Sequence, residues 1–207
     1  MEAVAARLPA GTALPLVVYA HGCAGLDDDV VSWADALAHA GYAVVAPDSF
    51  ARAGRRVRCD GRTVYPRRDP GVLALRESEI RYAVAQARML TWVRQASIAL
   101  LGFDQGGVVV AGYRGPPVTA YVVTGWTCTA PDVRHGLFTP PDRPVLAIRW
   151  ADDPLFGDPA WNGDCGAHLD ARPASRSIVL EGRGHSVAEN AEAREAVLRF
   201  LQAAASR

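Results

Sequence analysis

The stretch Ile98-Ala99-Leu100-Leu101-Gly102-Phe103-Asp104-Gln105-Gly106-Gly107-Val108-Val109-Val110 decides the fold. Its first four residues form the near-continuous apolar run of a strand covered on both faces. Its last residues open a segment with helical spacing, and between the two Gly102 and Gly106 stand two residues either side of Asp104. A chain that turns this sharply from strand to helix brings the backbones around the central residue almost into contact, so the flanking positions must be small. The two glycines meet that demand, and the turn presents Asp104 at the carboxyl end of its strand.

Outward from this turn, apolar runs alternate with helical segments. Pro15 to Ala20, Tyr42 to Ala46, Ile98 to Leu101, Val118 to Val123, Pro144 to Ile148 and Ser177 to Leu180 read as strands, each followed by turn residues. Val30 to His39, Leu73 to Val93, Gly106 to Tyr113 and Ala191 to Ala205 read as helices. In the second of these, Leu73, Ile80, Ala83, Val84, Ala87 and Leu90 recur along one face, and Arg76, Glu79 and Arg88 are expected to face water. The alternation predicts an α/β domain with a mostly parallel, doubly wound sheet of about six to seven strands. Residues 1–207 are expected to form a single domain, since half of them are apolar and the length suits one core.

Composition narrows the partners. Lys plus Arg and Asp plus Glu both number 22, so no net field draws the chain to nucleic acid or to an anionic membrane, and a small-molecule substrate is expected. The longest apolar stretches are too short to span a bilayer. Met1 to Ala10 lacks a basic segment followed by an apolar run, so a cytoplasmic protein without a signal peptide is expected. Cys23, Cys59, Cys128 and Cys165 lack zinc-site spacing, Asp27-Asp28-Asp29 ahead of Val30 reads as the acidic first turn of a helix, and His39, His135 and His168 have no partner at ligand spacing. No metal and no cofactor are expected.

At the elbow the chain resembles the dienelactone hydrolase family, α/β-hydrolases without a cap domain. The resemblance rests on His21-Gly22-Cys23-Ala24-Gly25, Ala46-Pro47-Asp48-Ser49-Phe50, the elbow itself, Trp150-Ala151-Asp152-Asp153-Pro154 and Gly184-His185-Ser186, in that order. It implies a nucleophile at 104, an acid at Asp153 with Asp152 as competitor, and a base at His185. It also implies an oxyanion hole built from the backbone N–H groups of Cys23 and Gln105. Family members usually carry Cys or Ser where this chain carries Asp104. A carboxylate there attacks an alkyl carbon to give an ester, or an acyl carbon to give a mixed anhydride, and either is hydrolysed by water activated at His185. Asp tolerates the positive φ of an elbow, and the helix N-terminus favours its charge. Two carboxylates beside His185 should make its imidazolium more persistent than in a Ser enzyme.

Two other readings stay open. One is a non-catalytic binding or scaffold protein on the same fold, in which Asp104 has ended nucleophilic catalysis; the other is acyl transfer through the Cys23 thiol. Around the site, Arg52, within the cluster Arg52, Arg55, Arg56 and Arg58, is a candidate for holding a substrate carboxylate, and Trp126 for a pocket wall. The four cysteines all follow strand ends, which allows the pairs Cys23–Cys59 and Cys128–Cys165, or four reduced thiols.

Overall fold

The structure, a computed structural model, describes residues 6–52, 70–129 and 135–206. Within these, six strands form one sheet: β1 (Leu14–Ala20), β2 (Ala43–Val45), β3 (Val93–Phe103), β4 (Ala120–Thr124), β5 (Val145–Asp152) and β6 (Arg176–Arg183). Their order is β2-β1-β3-β4-β5-β6 and every neighbouring pair is parallel. The helices are α1 (Asp28–His39), α2 (Pro70–Arg88), α3 (Gln105–Ala111) and α4 (Ala191–Ala205), with a 3-10 turn at Cys165–His168. The chain steps from β1 out to β2, returns across β1 to β3, and then runs onward to β6. The loops leaving β1 and β3 therefore part company, which opens a crevice at their carboxyl ends.

Strand side chains alternate between the two faces, and each face has its own core. Leu16, Val18, Ile98 and Leu100 pack with Ile80 and Val84 of α2 and Val108 to Val110 of α3. Val17, Tyr19, Ala99 and Leu101 pack with Trp33 and Leu37 of α1 and Val197 and Leu201 of α4. The fully buried leucines stabilise the fold by about 2 kcal/mol each through water exclusion.

Element centres fall where the apolar pattern puts them, and the ends move for identifiable reasons. β3 begins at Val93 instead of Ile98, because a register irregularity against β1, between Leu14 and Leu16, absorbs the polar residues that follow Val93. Helix α2 starts at Pro70, where a missing N–H costs nothing, and ends at Arg88 so that Trp92 and Val93 can enter the core. Two expectations are overturned. Arg76 does not face water but is 2 % exposed, packed behind the elbow, and the Glu79 side chain is only 9 % exposed, taken up by Ser49 and Arg52.

Candidate functional site

The elbow places Asp104 at φ 53°, ψ −119°, just past β3 and at the N-cap position of α3, yet its side chain makes no cap. The turn closes on backbone: the Asp104 amide donates to the Thr124 carbonyl at 3.1 Å. A Cβ at Gly106 would run into the Ala20 carbonyl, and one at Gly102 into the Gly106 carbonyl. Both glycines are therefore required by close approach. The carboxylate is turned instead towards the two neighbouring strand ends.

There it meets His185 and the β1 loop. Oδ2 accepts from the backbone amide of Cys23 at 2.7 Å, and Oδ1 stands 3.6 Å from His185 Nε2, an ion-pair distance longer than a hydrogen bond. The other ring nitrogen, Nδ1, is 2.7 Å from Asp153 Oδ2. Asp153 is buried, and its second oxygen accepts the amide of Leu155 at 3.0 Å. Asp152, the competitor, is exposed and lies 3.9 Å from Arg183. The fold thus brings Asp104, His185 and Asp153 together from β3, β6 and β5.

Electrostatics follow from this placement. Burial alone would lower the His185 pKa, but the carboxylates of Asp104 and Asp153 on either side of the ring outweigh it and push it up to about 9. Burial would raise the Asp104 carboxyl. His185, together with the amides of Cys23 and Gln105, overrides that and holds it below the usual carboxylate value. The resting cluster at neutral pH is one imidazolium between two carboxylates. Of the two amides expected to line an oxyanion hole, that of Cys23 is bonded to Asp104 itself, and that of Gln105 adds to holding the carboxyl ionised.

The His185 loop is pinned from two sides. Trp150 Nε1 donates to the Ser186 carbonyl at 2.8 Å, and the Ser186 hydroxyl donates to Asp29, which also accepts from the Tyr19 hydroxyl. Burial raises the Asp29 carboxyl above its usual range, against the pull of the two hydroxyls. Sequence reasoning assigned Asp29 only to the first turn of α1. The signal was available, since Asp29 lies four residues before Trp33 and eight before Leu37, on the buried face of the helix. Arg76 carried a like signal, four residues before the buried Ile80.

A cavity of about 870 Å³ opens beside Asp104 and His185, walled by Phe103, Trp150, Pro154 and Leu155 and edged by residues from the start of α1. Neither Arg52 nor Trp126 lines it. Arg52 is paired with Glu79 at 3.0 Å, and Trp126 is 1 % exposed against Phe156 in the core. Arg55, Arg56, Arg58 and Cys59 lie outside the described residues. Cys128 and Cys165 form a disulfide. Cys23 is also disulfide-bonded, which removes the thiol that nucleophilic attack by Cys23 requires. Among the described residues no three His, Cys, Asp or Glu side chains are grouped as metal ligands, and no helix is long and apolar enough to cross a membrane.

A parallel sheet with a glycine-flanked elbow after its third strand, an acid after the fifth and a histidine after the sixth is the arrangement of the α/β-hydrolases. Within that class the sequence profile of the dienelactone hydrolase family matches residues 1–202, and the chain belongs to that family. Solved structures agree on the fold. The dienelactone hydrolase of Anabaena variabilis is similar with a TM-score of 0.60 at 24 % identity, over 96 % of this chain and 87 % of that one. A phospholipase/carboxylesterase from Dyadobacter fermentans gives 0.63 at 17 % identity, over 94 % and 93 %. No protein of curated function matches the sequence. The family makes the chain a hydrolase by descent.

Proposed function

We propose that the chain hydrolyses a small ester, lactone or alkyl electrophile, with Asp104 as nucleophile, His185 as the base that activates water and Asp153 as the acid that orients the imidazole. The split use of the Asp104 carboxylate carries this reading. One oxygen is held by the Cys23 amide while the other faces His185 Nε2 at the cavity. The cavity volume lies within the range of small-molecule sites.

In the first step Oδ1 attacks the electrophilic carbon and the leaving group departs with the bonding electrons, giving an Asp104 ester or, from an acyl carbon, an anhydride. That step removes the negative charge of Asp104. One of the two carboxylates holding the His185 proton is then gone, so the imidazole releases it and becomes a base. Neutral Nε2 next takes a proton from water, whose oxygen attacks Cγ of Asp104. Negative charge develops on Oδ2, which already accepts from the Cys23 amide, so the donor needs no reorganisation. Collapse releases the alcohol or acid and restores the carboxylate. The balance is R–X plus water giving R–OH plus HX.

A second reading has its own support. The imidazolium stands between two carboxylates that balance its charge, and the Cys23 amide expected as an oxyanion donor is already engaged by Asp104, as in a retired site on this fold. Trapping separates the two. In a His185→Gln variant treated with an aryl glycidyl ether or an aryl ester, mass spectrometry is expected to find the adduct on the peptide carrying Asp104. Parent enzyme in 18O-water should place the first label in that carboxylate. Absence of an adduct from both reagents supports the non-catalytic reading.

A further inference from the structure

Arg76 is a buried cation that the mechanism above leaves unused, and its contacts reach both arms of the elbow. Nη1 donates to Gln105 Oε1 at 3.0 Å, and Nη2 donates to the His21 carbonyl. The Gln105 amide, next in the chain, helps hold the Asp104 carboxyl below its usual value, and the loop starting at His21 supplies a direct hydrogen bond, through Cys23. We infer that Arg76 is a positioning residue that fixes these two amides against Asp104 from behind, an inference that rests on the hydrolase reading for its catalytic consequence. The planar fork of a guanidinium can hold two acceptors at a set angle, which an ammonium cannot.

The route from Arg76 to Cys23 runs through the tautomer of His21. Burial, and then the charge of Arg76, lower the His21 pKa, so the ring is neutral. Its Nε2 accepts from the Ser49 amide at 3.1 Å, which places the single ring proton on Nδ1. Nδ1–H therefore donates to the Gly22 carbonyl at 2.6 Å. The 3.0 Å approach of Arg76 Nη2 to Nδ1 is accordingly a contact and not a hydrogen bond, and the donation goes to the His21 carbonyl.

The Gly22 carbonyl and the Cys23 N–H belong to one peptide unit. A hydrogen bond accepted at its oxygen withdraws electron density and strengthens the donor at its nitrogen. His21 thus both aims and polarises the amide that binds Asp104 Oδ2. Arg76 holds His21 by its carbonyl, adds to burial in keeping the ring neutral, and holds Gln105 by its side chain. A single side chain from α2 in this way braces both the loop that carries the Cys23 amide and the residue that follows Asp104.

The test compares the parent with Arg76→Met, which keeps the length and removes the fork, and with Gln105→Leu, which cuts one arm only. Thermal melts establish that each variant is folded. In 15N-labelled protein, the amide protons of Cys23 and Gln105 are expected to move upfield in Arg76→Met. The Leu155 amide, bonded to Asp153, should stay in place. In Gln105→Leu the Cys23 amide is expected to stay in place, because its arm is held separately through His21; a Cys23 amide that moves as far in this variant as it is expected to in Arg76→Met overturns the two-armed hold, which keeps the inference testable should Arg76→Met fail to fold. With a substrate turned over by the parent, kcat of Arg76→Met is expected to fall at least about 100-fold with KM within about twofold, the signature of a lost oxyanion-type donor. Unmoved Cys23 and Gln105 amides overturn the positioning role, and moved amides with an unchanged kcat overturn its catalytic consequence. A parent without activity defeats the hydrolase reading, while the amide shifts still decide whether Arg76 holds the two arms.

Discussion

One carboxylate at position 104 alters the chemistry of three neighbours at once. It accepts from the Cys23 amide, draws on that of Gln105, and together with Asp153 raises His185 to about 9; in the proposed reaction it would also supply the attacking oxygen. Replacing Asp104 by Ser reverses all three. A hydroxyl then stands beside His185, the two amides are free for an acyl oxyanion, and the imidazole loses one carboxylate and becomes a base nearer neutral pH. Asp104→Ser is therefore expected to hydrolyse aryl acetates at least about tenfold faster than the parent; a steady-state rate no higher than the parent's refutes the argument. The raised pKa of His185 also makes a statement about stability. A histidine ordinarily near 6.5 and held at about 9 by its partners stabilises the folded state fully below about pH 6.5 and loses that contribution as the pH rises through 9. The full contribution is on the order of 3 kcal/mol. Urea melts between pH 6 and 10 should show the decline in the parent and a flatter profile in His185→Gln; equal slopes count against the paired imidazolium.

At the scale of elements, the elbow is where strand and helix are welded by the absence of side chains. The Cβ that Gly106→Ala would add meets the backbone carbonyls of Ala20 and His21, with no flexible side chain in between to give way. The expected cost is about 3 kcal/mol or more, read as a fall in melting temperature with the α3 signals most perturbed. A melting temperature within error of the parent's would mean the weld is looser than drawn. This elbow was legible from Gly102 to Gly107 because its geometry allows so few residue types. The centres of the strands were legible because burial on both faces imposes continuous apolarity. Strand ends were not, since the polar residues after Val93 interrupt the apolar pattern while the strand still pairs through a register irregularity. Asp153 and His185 were singled out through family order, and the fold sets both near Asp104, whereas Asp29 was read only as part of an acidic first turn and Arg76 as a solvent-facing charge, although helical spacing puts both on buried faces. A charged residue on the apolar face of a helix is a local conflict, and such conflicts tend to mark a site. Arg52 and Trp126 went to an ion pair and to the core because proximity to a strand end does not say which way a side chain turns.

Over the whole molecule, the balanced charge explains neither substrate nor compartment, and the cysteines carry more information. Among the described residues none is a free thiol: Cys128 is joined to Cys165, and Cys23 is bonded as well. Disulfides persist in oxidising compartments and are rare in reducing ones, so the redox state of these cysteines is the property that bears on compartment. The Cys128–Cys165 bond spans 37 residues and ties the loop after β4 to the 3-10 turn ahead of β6, across the segment that carries Asp153. Closing a loop of that length restricts the unfolded chain by about 3 to 4 kcal/mol. For a chain of this size that corresponds to roughly 8 to 15 °C in melting temperature. The double variant Cys128→Ala, Cys165→Ala should therefore melt lower by about that amount, and a reductant should lower the parent further than it lowers the variant. A parent whose melting temperature is indifferent to reductant, with four thiols titrating in the unreduced denatured chain, would show the cysteines to be reduced and overturn the disulfide contribution.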